Sequence, residues 1–253
     1  MNPRSRIFVL AAISLISSLL FVNFPAAASS SGTDIEAADF LSSPEKDLVR
    51  EINLLRSNPQ AYVAYLEQAK KYYKGKTYQP PGQSGLVTDE GAAAVDDAIS
   101  FLRAAKPLSP FSLSKGMSLA AKDHVKDLGS TGNVGHKGTD GSTTEMRVSR
   151  YGRFSNGIGE NIFYQNDTAR EVVIGWLIDD GVATRGHRRN LLSSTYRFLG
   201  VSIGARNSFG SMCVLTFAGD YSEVATAAAG KARPAAAQPA TAPSKGKAAA
   251  RKM

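Results

Sequence analysis

The sequence predicts an α+β domain in which helices cover an antiparallel sheet. Its N-terminal half carries apolar residues at helical spacing, whereas its C-terminal half contains apolar runs typical of strands. One helical pattern interrupts those strands. Helices followed by a group of strands indicate an α+β domain, because strands that are close in sequence tend to pair antiparallel. No internal repeat is visible.

Four helices are expected in the N-terminal half. The first begins at Ser43-Pro44-Glu45, which supplies an N-cap, a proline at the first helical position and a first-turn acid. Asn58-Pro59 begins the second helix. Apolar residues on one side predict the third and fourth over 92–105 and 114–128. The intervening segment, 74–91, is rich in glycine, proline and glutamine and is interpreted as a loop.

The C-terminal half is expected to form the sheet. Strand patterns cover 157–164, 198–205 and 212–218, and a helical pattern covers 168–178. The last two strands are joined by Asn207-Ser208-Phe209-Gly210, a run of turn-forming residues.

The first residues have the form of an export signal. Arg4 and Arg6 precede an apolar run from Ile7 to about Phe24, and Ala26-Ala27-Ala28 forms a small-residue cleavage site. We expect residues 1–28 to be a cleaved signal peptide and the mature chain to be secreted, periplasmic or at the cell surface. Retention as a membrane anchor is the alternative, because the run approaches the roughly 18 residues that span a bilayer.

Charge separates a balanced domain from a basic tail. The net charge is +8, of which +2 comes from the signal and +6 from residues 224–253, so residues 34–223 are neutral overall. We expect a linker over 29–42, a monomeric folded domain over 43–223 and a disordered Ala/Pro/Lys-rich tail over 224–253. The tail is either a solvated extension or a contact to anionic envelope polymers or lipid head groups. Specific nucleic-acid binding is not expected.

The single cysteine, Cys213, cannot form an internal disulfide. It lies in the apolar run Met212-Cys213-Val214-Leu215, which predicts a buried thiol rather than a reactive one. An ordinary hydrophobic core is therefore expected to stabilise the domain.

Two of the three histidines lie in polar, glycine-containing sequences. His136 and His187 are candidates for proton transfer or metal binding, because imidazole suits both near neutral pH. Taken singly, His136 is equally consistent with an exposed loop residue, and His187 with a residue beside a helix start. His124 lies in an apolar helix face, so we expect it to be structural and exclude it from the site.

Two acids are candidate partners for these histidines. Glu160 lies in a strand-like apolar stretch, where a buried carboxylate needs an imidazole, a metal or an arginine as partner. Asp179 lies one helical turn after Trp176, on the same side of that helix. Capping of the next turn and pairing with Arg188 are the alternative roles for Asp179.

These features in this order resemble the CAP superfamily of cysteine-rich secretory, antigen 5 and pathogenesis-related 1 proteins, and especially its bacterial, disulfide-free branch (SCP domain). The resemblance covers roughly residues 45–220. It implies an α-β-α sandwich and a cleft with two histidines and two acids. The segments that carry it are His136, Gly159-Glu160-Asn161-Ile162, Trp176, Gly186-His187-Arg188-Arg189-Asn190-Leu191-Leu192 and Gly200-Val201.

The resemblance assigns His136, His187 and Glu160 to that cleft. Asp179 stands where animal and plant members usually have a glutamate, so it is one methylene shorter. Many bacterial members have a small residue there, and the alternatives are therefore that the second acid is dispensable or is Asp180. The segment from Lys74 to Ala105 is longer than the family's usual spacing, and it could roof or block the cleft.

Such a cleft is expected to bind a divalent ion, with zinc favoured. His136 and His187 would be the ligands, and Glu160 and Asp179 would act directly or through water. Binding should weaken as the imidazoles protonate below about pH 6.5. No organic cofactor is expected.

Three classes of function remain open. The favoured class is a binding module that holds a small or lipid-like ligand, as the resemblance implies for sterol- or lipid-binding relatives. The second is a metal-assisted peptide or ester hydrolase with Glu160 as general base, although neither a G-x-S-x-G nor an H-E-x-x-H sequence supports it. The third is a structural or cell-surface interaction module.

Overall fold

A computed structural model describes residues 31–164, 168–207 and 210–224. The predicted signal peptide and nearly all of the predicted tail lie outside the described residues. The helices are α1 (Ser31–Ala37), α2 (Ser43–Ser57), α3 (Ala61–Lys70), α4 (Ala92–Ala104), α5 (Lys115–Thr131), α6 (Thr144–Ser149), α7 (Ala169–Ile178) and α8 (Gly186–Leu191). The strands are β1 (Tyr73–Lys74), β2 (Thr77–Tyr78), β3 (Leu86–Val87), β4 (Ser112–Leu113), β5 (Gly152–Tyr164), β6 (Phe198–Ala205) and β7 (Ser211–Glu223).

The main sheet has the strand order β4-β6-β7-β5, and its three long strands are antiparallel as predicted. The two-residue β4 adds a parallel edge beside β6. On the opposite edge, β5 pairs with β7 over most of its length, with one irregularity between Ser155 and Ile158. Because β5 pairs with a single strand among the described residues, its outer edge can receive side chains from loops and helices.

Helices cover both faces of this sheet, so the predicted α-β-α sandwich is confirmed. Side chains alternate along β7. Met212 and Val214 pack with residues of α5, whereas Leu215 and Phe217 join the core formed with α2, α4 and α7. Full burial of a side chain such as Leu215 contributes about 1.5–3 kcal/mol. Cys213 faces the same core, and burial raises the pKa of its thiol, which agrees with the predicted buried cysteine.

Side-chain caps define the ends of the main helices. The α2 helix is capped by Ser42, one residue before the predicted position, in a capping box with Glu45. Ser114 caps α5 by accepting a hydrogen bond from Met117 N, and α5 ends at Gly132, whose φ of 75° suits glycine. Helix α7 starts with a second capping box, in which Thr168 pairs with Glu171.

Several short elements differ from the sequence prediction. Helix α1 lies inside the predicted 29–42 linker and buries Ile35 in the core, so the packed domain begins before Ser43. The predicted 74–91 loop contains most of a small antiparallel sheet, β1-β2-β3. Helices α6 and α8 were not predicted, because six residues are too few to show helical periodicity. Within the described residues, no helix is long and apolar enough to cross a bilayer.

Candidate functional site

His136 and Glu160 form the first of two histidine-carboxylate pairs. His136 lies in the loop after α5, and its Nδ1 is 2.9 Å from Glu160 Oε1 on β5. The imidazole side chain is 57% exposed, whereas the Glu160 side chain is only 2% exposed. An ionised carboxylate can only accept, so the imidazole donates from Nδ1, and its Nε2 takes no part in this bond.

Arg147 completes the surroundings of Glu160. Its Nη2 donates to Glu160 Oε2 at 2.7 Å, and both terminal nitrogens donate to the carbonyl of His136 at 3.2 Å. Burial alone would raise the pKa of Glu160, but the hydrogen bond from His136 and the positive charge of Arg147 hold it below its ordinary value. From the sequence, an arginine is one possible partner of Glu160. Its identity does not follow from the sequence, because the six residues of α6 are too few to show helical periodicity.

His124 lies under this pair as a structural residue. Its ring is fully buried, its Nε2 is 2.9 Å from the carbonyl of Gly135, and it lies 4.0 Å from Glu160 Oε1. Burial lowers the pKa of His124, which favours its neutral form. The predicted structural histidine is therefore adjacent to the site, where it anchors the backbone just before His136.

Asp179 and His187 form the second pair. Asp179 follows the end of α7 in a left-handed conformation with φ of 52°. Its Oδ1 is 2.6 Å from His187 Nδ1, and its Oδ2 accepts the backbone N–H of His187 at 2.9 Å. Asp179 thus orients the imidazole and also accepts a backbone N–H group in the first turn of α8. It therefore combines the contact with the histidine and the capping role that the sequence suggests as alternatives. The side chain of Arg188 pairs with Asp97 instead.

Asp180, the alternative second acid, points to a different part of the chain. Its two oxygens accept the backbone N–H groups of Asp89 and Glu90 at 2.6 and 2.9 Å. Asp180 therefore holds the segment that follows β3, whereas Asp179 contacts the histidine.

Consecutive residues of β5 tie the two pairs to one point on the sheet edge. Glu160 contacts His136, and the next residue, Asn161, donates from Nδ2 to the carbonyl of His187 at 3.0 Å. Asn190 of α8 donates to Asn161 Oδ1 at 2.9 Å. The carboxamide of Asn161 is fully buried, so this link fixes α8 against the strand.

Two adjoining cavities lie beside β5 and α7, and His187 lines the smaller of them. One, of about 340 Å³, is lined by Trp176, Asp179 and His187 among others, and the second, of about 640 Å³, lies between the small sheet and α7. Both include Ile162 and Phe163 in their walls. The predicted roofing segment does cover a cavity, but the residues that line the two cavities include neither His136 nor Glu160.

Both imidazoles make the same type of contact. Each uses Nδ1 on a carboxylate, and neither Nε2 has a hydrogen-bond partner among the described residues. A histidine held this way presents a neutral nitrogen to a metal or a proton. Within the described ranges, no group of three or more His, Cys, Asp or Glu side chains is placed to hold one metal ion. Imidazole nitrogens are donors that zinc accepts, and a site with only two of them would be open to water rather than closed.

The structure is an α-β-α domain with two histidine–carboxylate pairs beside one edge of its main sheet. Residues 97–217 match the sequence profile of the cysteine-rich secretory protein family, CAP. Residues 97–217 are therefore identified as a CAP domain, as the resemblance predicted. No curated protein matches it.

Solved bacterial structures are also similar to this chain. An extracellular protein containing a SCP domain from Bacillus anthracis is 25% identical, with a TM-score of 0.36, and the match covers 44% of this chain and 34% of that one. An outer surface protein from Borrelia burgdorferi is 19% identical, with a TM-score of 0.38 and coverage of 44% and 78%. A cysteine-rich secretory protein from Staphylococcus aureus is 13% identical, with a TM-score of 0.36 and coverage of 56% and 46%. The chain thus spans about a third of the length of the first of these proteins.

Proposed function

We propose that this chain is an exported CAP-domain binding protein whose cleft holds a divalent metal, zinc first, together with a small or lipid-like ligand. One observation carries the proposal: each of two imidazoles is bound through Nδ1 to a nearly buried carboxylate, which leaves Nε2 free. Carboxylates in this position orient a histidine and increase its strength as a ligand.

The residues have separate tasks in this function. His136 and His187 would hold the ion through Nε2, and water would complete its coordination. Glu160 and Asp179 would act in the outer shell, because their oxygens already receive the Nδ1–H groups. Arg147 keeps Glu160 ionised and compensates its buried charge. A bound zinc ion would supply positive charge at the two Nε2 atoms, and neither histidine lines the larger cavity.

The surroundings of Glu160 argue against the alternative in which it acts as a general base in a peptide or ester hydrolase. Its carboxylate is nearly buried, both oxygens are occupied and its pKa is lowered. A general base works best with a pKa near the operating pH and a free path to water. Loss of peptide, ester or phosphodiester turnover in Glu160→Gln would restore the hydrolase hypothesis.

Zinc titration by calorimetry tests the proposed metal site. We expect the double variant His136→Ala, His187→Ala to lose zinc affinity by about tenfold or more, and wild-type binding to weaken below about pH 6.5. Asp47→Asn, which removes an exposed carboxylate on α2, is the matched control and should bind like wild type. Equal affinity in the double variant and the control would rule out these ligands.

A structural role for the same residues makes a different prediction. If the two histidine–carboxylate pairs only hold their loops in place near β5, the double variant would lose stability without any change in metal or ligand binding. Denaturant unfolding alongside the titration separates this alternative from the binding function.

A further inference from the structure

The larger cavity has mainly apolar walls on both sides. The small sheet contributes aromatic and aliphatic side chains, and β5 and α7 contribute the facing wall. Its volume of about 640 Å³ lies within the range of roughly 300–1,000 Å³ typical of small-molecule sites. The main apolar contributors are Tyr73, Tyr78, Leu86, Phe163, Ile174 and Ile178.

Apart from the titratable His187, every ionisable group with a formal charge among the described residues of these walls is an acid. Glu171 and Asp180 line the larger cavity, and Asp89 and Asp179 line the smaller one that adjoins it. No lysine or arginine occurs among the described residues that line either cavity. An anionic ligand would therefore meet repulsion here, whereas a cation would be attracted.

Aromatic rings stand close to this negative charge. The rings of Tyr73 and Tyr78 have centroids 4.9 Å apart and are tilted by 43°. Burial and the nearby carboxylate of Asp180 raise the pKa of Tyr73 to about 12, which agrees with the closeness of the phenol and the acid. Ring faces combined with a carboxylate are the recurring means by which proteins bind ammonium groups.

We propose that this cavity binds an ammonium-bearing amphiphile, with its apolar chain between the small sheet and α7 and its cationic head near Asp180 and the tyrosines. The proposal rests on the ligand-binding function above and names the chemical class of the ligand. The carboxylates select the charge of the head group, and the apolar walls select the chain.

Calorimetry with chain-matched probes tests the proposed charge selection. Dodecyltrimethylammonium and dodecanoate are titrated into the mature full-length protein below their micelle-forming concentrations. We expect the cation to bind about tenfold more tightly or better, since repulsion by the carboxylates weakens the anion. Equal or tighter binding of dodecanoate, or binding of neither probe, would overturn the proposal.

A cavity-filling variant localises the binding. Ile174→Trp places a large ring in the larger cavity and should abolish binding of the cationic probe. Leu54→Trp on α2, which replaces an exposed aliphatic helical residue away from the cavity, should bind it normally. Unchanged binding by a folded Ile174→Trp protein would contradict this location.

The two proposals fail independently. Ile174→Trp should keep its zinc affinity, and the His136→Ala, His187→Ala variant should still bind dodecyltrimethylammonium. If the wild-type protein fails to bind zinc but binds the cationic probe, only the proposed metal site is contradicted. If it binds zinc but not the cationic probe, only the proposed ligand class is contradicted.

Discussion

At the scale of single residues, the cleft depends on carboxylates that are nearly buried yet charged. Glu160 is stabilised by one imidazole and one guanidinium, and Asp179 by one imidazole and two backbone N–H groups. A buried charge is tolerated only when such partners replace the water that it has lost. Each acid therefore serves both the stability of the fold and the orientation of a histidine.

The substitution Glu160→Gln should destabilise the protein. It leaves the buried Arg147 without its carboxylate, and breaking a buried pair typically costs about 3–5 kcal/mol. Urea unfolding at pH 7 measures the loss. Glu145→Gln, an exposed change on the same helix as Arg147, should stay within about 0.5 kcal/mol of wild type. A similarly small effect in Glu160→Gln would show that the pair contributes little.

Glu160 should also make stability depend on pH. Its folded pKa lies below the ordinary value of 4.5 for a glutamate, so its ionised form stabilises the fold above about pH 4.5. That contribution should be lost as the pH falls from there through the lowered folded value. Unfolding measured from pH 7 to pH 3 should therefore show a smaller acid loss in Glu160→Gln than in wild type. Parallel curves would refute this linkage.

The neighbouring acids Asp179 and Asp180 should have separable effects. Asp179→Asn retains a carbonyl oxygen but removes the charge that fixes His187, so zinc affinity should fall by about 10–100-fold. Asp180→Asn is the matched control, since Asp180 holds residues 89–90 and should leave zinc affinity unchanged. Calorimetric titration of both variants checks the difference. The opposite ranking would assign the second acid to Asp180.

At the scale of elements, helix α5 approaches β6 at a glycine. A Cβ on Gly200 would lie 2.2 Å from the backbone carbon of Met117, so no side chain fits there without moving the helix. The contact is reinforced by Ser118 Oγ, which accepts the backbone N–H of Val201 at 3.1 Å. This close packing carries α5, and with it the His136 loop, against the sheet.

Gly200→Ala should therefore be destabilising by about 1–3 kcal/mol, because the added methyl overpacks the layer. Gly186→Ala in α8 is the matched control. Its added Cβ would be 3.5 Å from Thr184 Oγ1, and it should be neutral or slightly stabilising. Thermal and urea unfolding compare the two. A neutral Gly200→Ala would mean that α5 shifts easily.

At the scale of the whole molecule, a charge-balanced domain is followed by a basic extension. Strand β7 ends at Glu223, whose carboxylate accepts hydrogen bonds from Ser114 Oγ and Gly116 N at the start of α5. The domain therefore needs its chain up to this residue. The six cations beyond it, in 225–253, are available in sequence for contacts with anionic surfaces.

Truncation after Val224 should leave the domain folded but remove binding to anionic surfaces. We expect the full chain to bind phosphatidylglycerol vesicles at low salt and to release them as salt rises, because the attraction is screened. The truncated chain should bind weakly at every salt concentration while its melting temperature is unchanged. Undiminished binding by the truncated chain would assign attachment to the domain.

Much of the architecture could be read from local signals. Periodic apolar residues located α2, α4, α5 and α7, and apolar runs located β6 and β7, since burial imposes these periods on long elements. Short elements were missed because they contain too few residues for a period: α6 and α8 have six residues each, and β1, β2 and β3 have two each. For the same reason, the contact of Arg147 with Glu160 and the contacts of Asn161 with α8 could not be predicted.

By itself, the sequence determined the fold class and the resemblance to the CAP family, and it predicted four polar residues as the candidate site, because residue types and their order along the chain carry these signals. The tertiary structure alone decided how those residues pair: His136 with Glu160, and His187 with Asp179. It also placed an acid-lined apolar cavity beneath the 73–88 segment. Such pairings and cavities depend on contacts between residues that are distant in sequence, and only the packing of helices against the β5 edge brings them together.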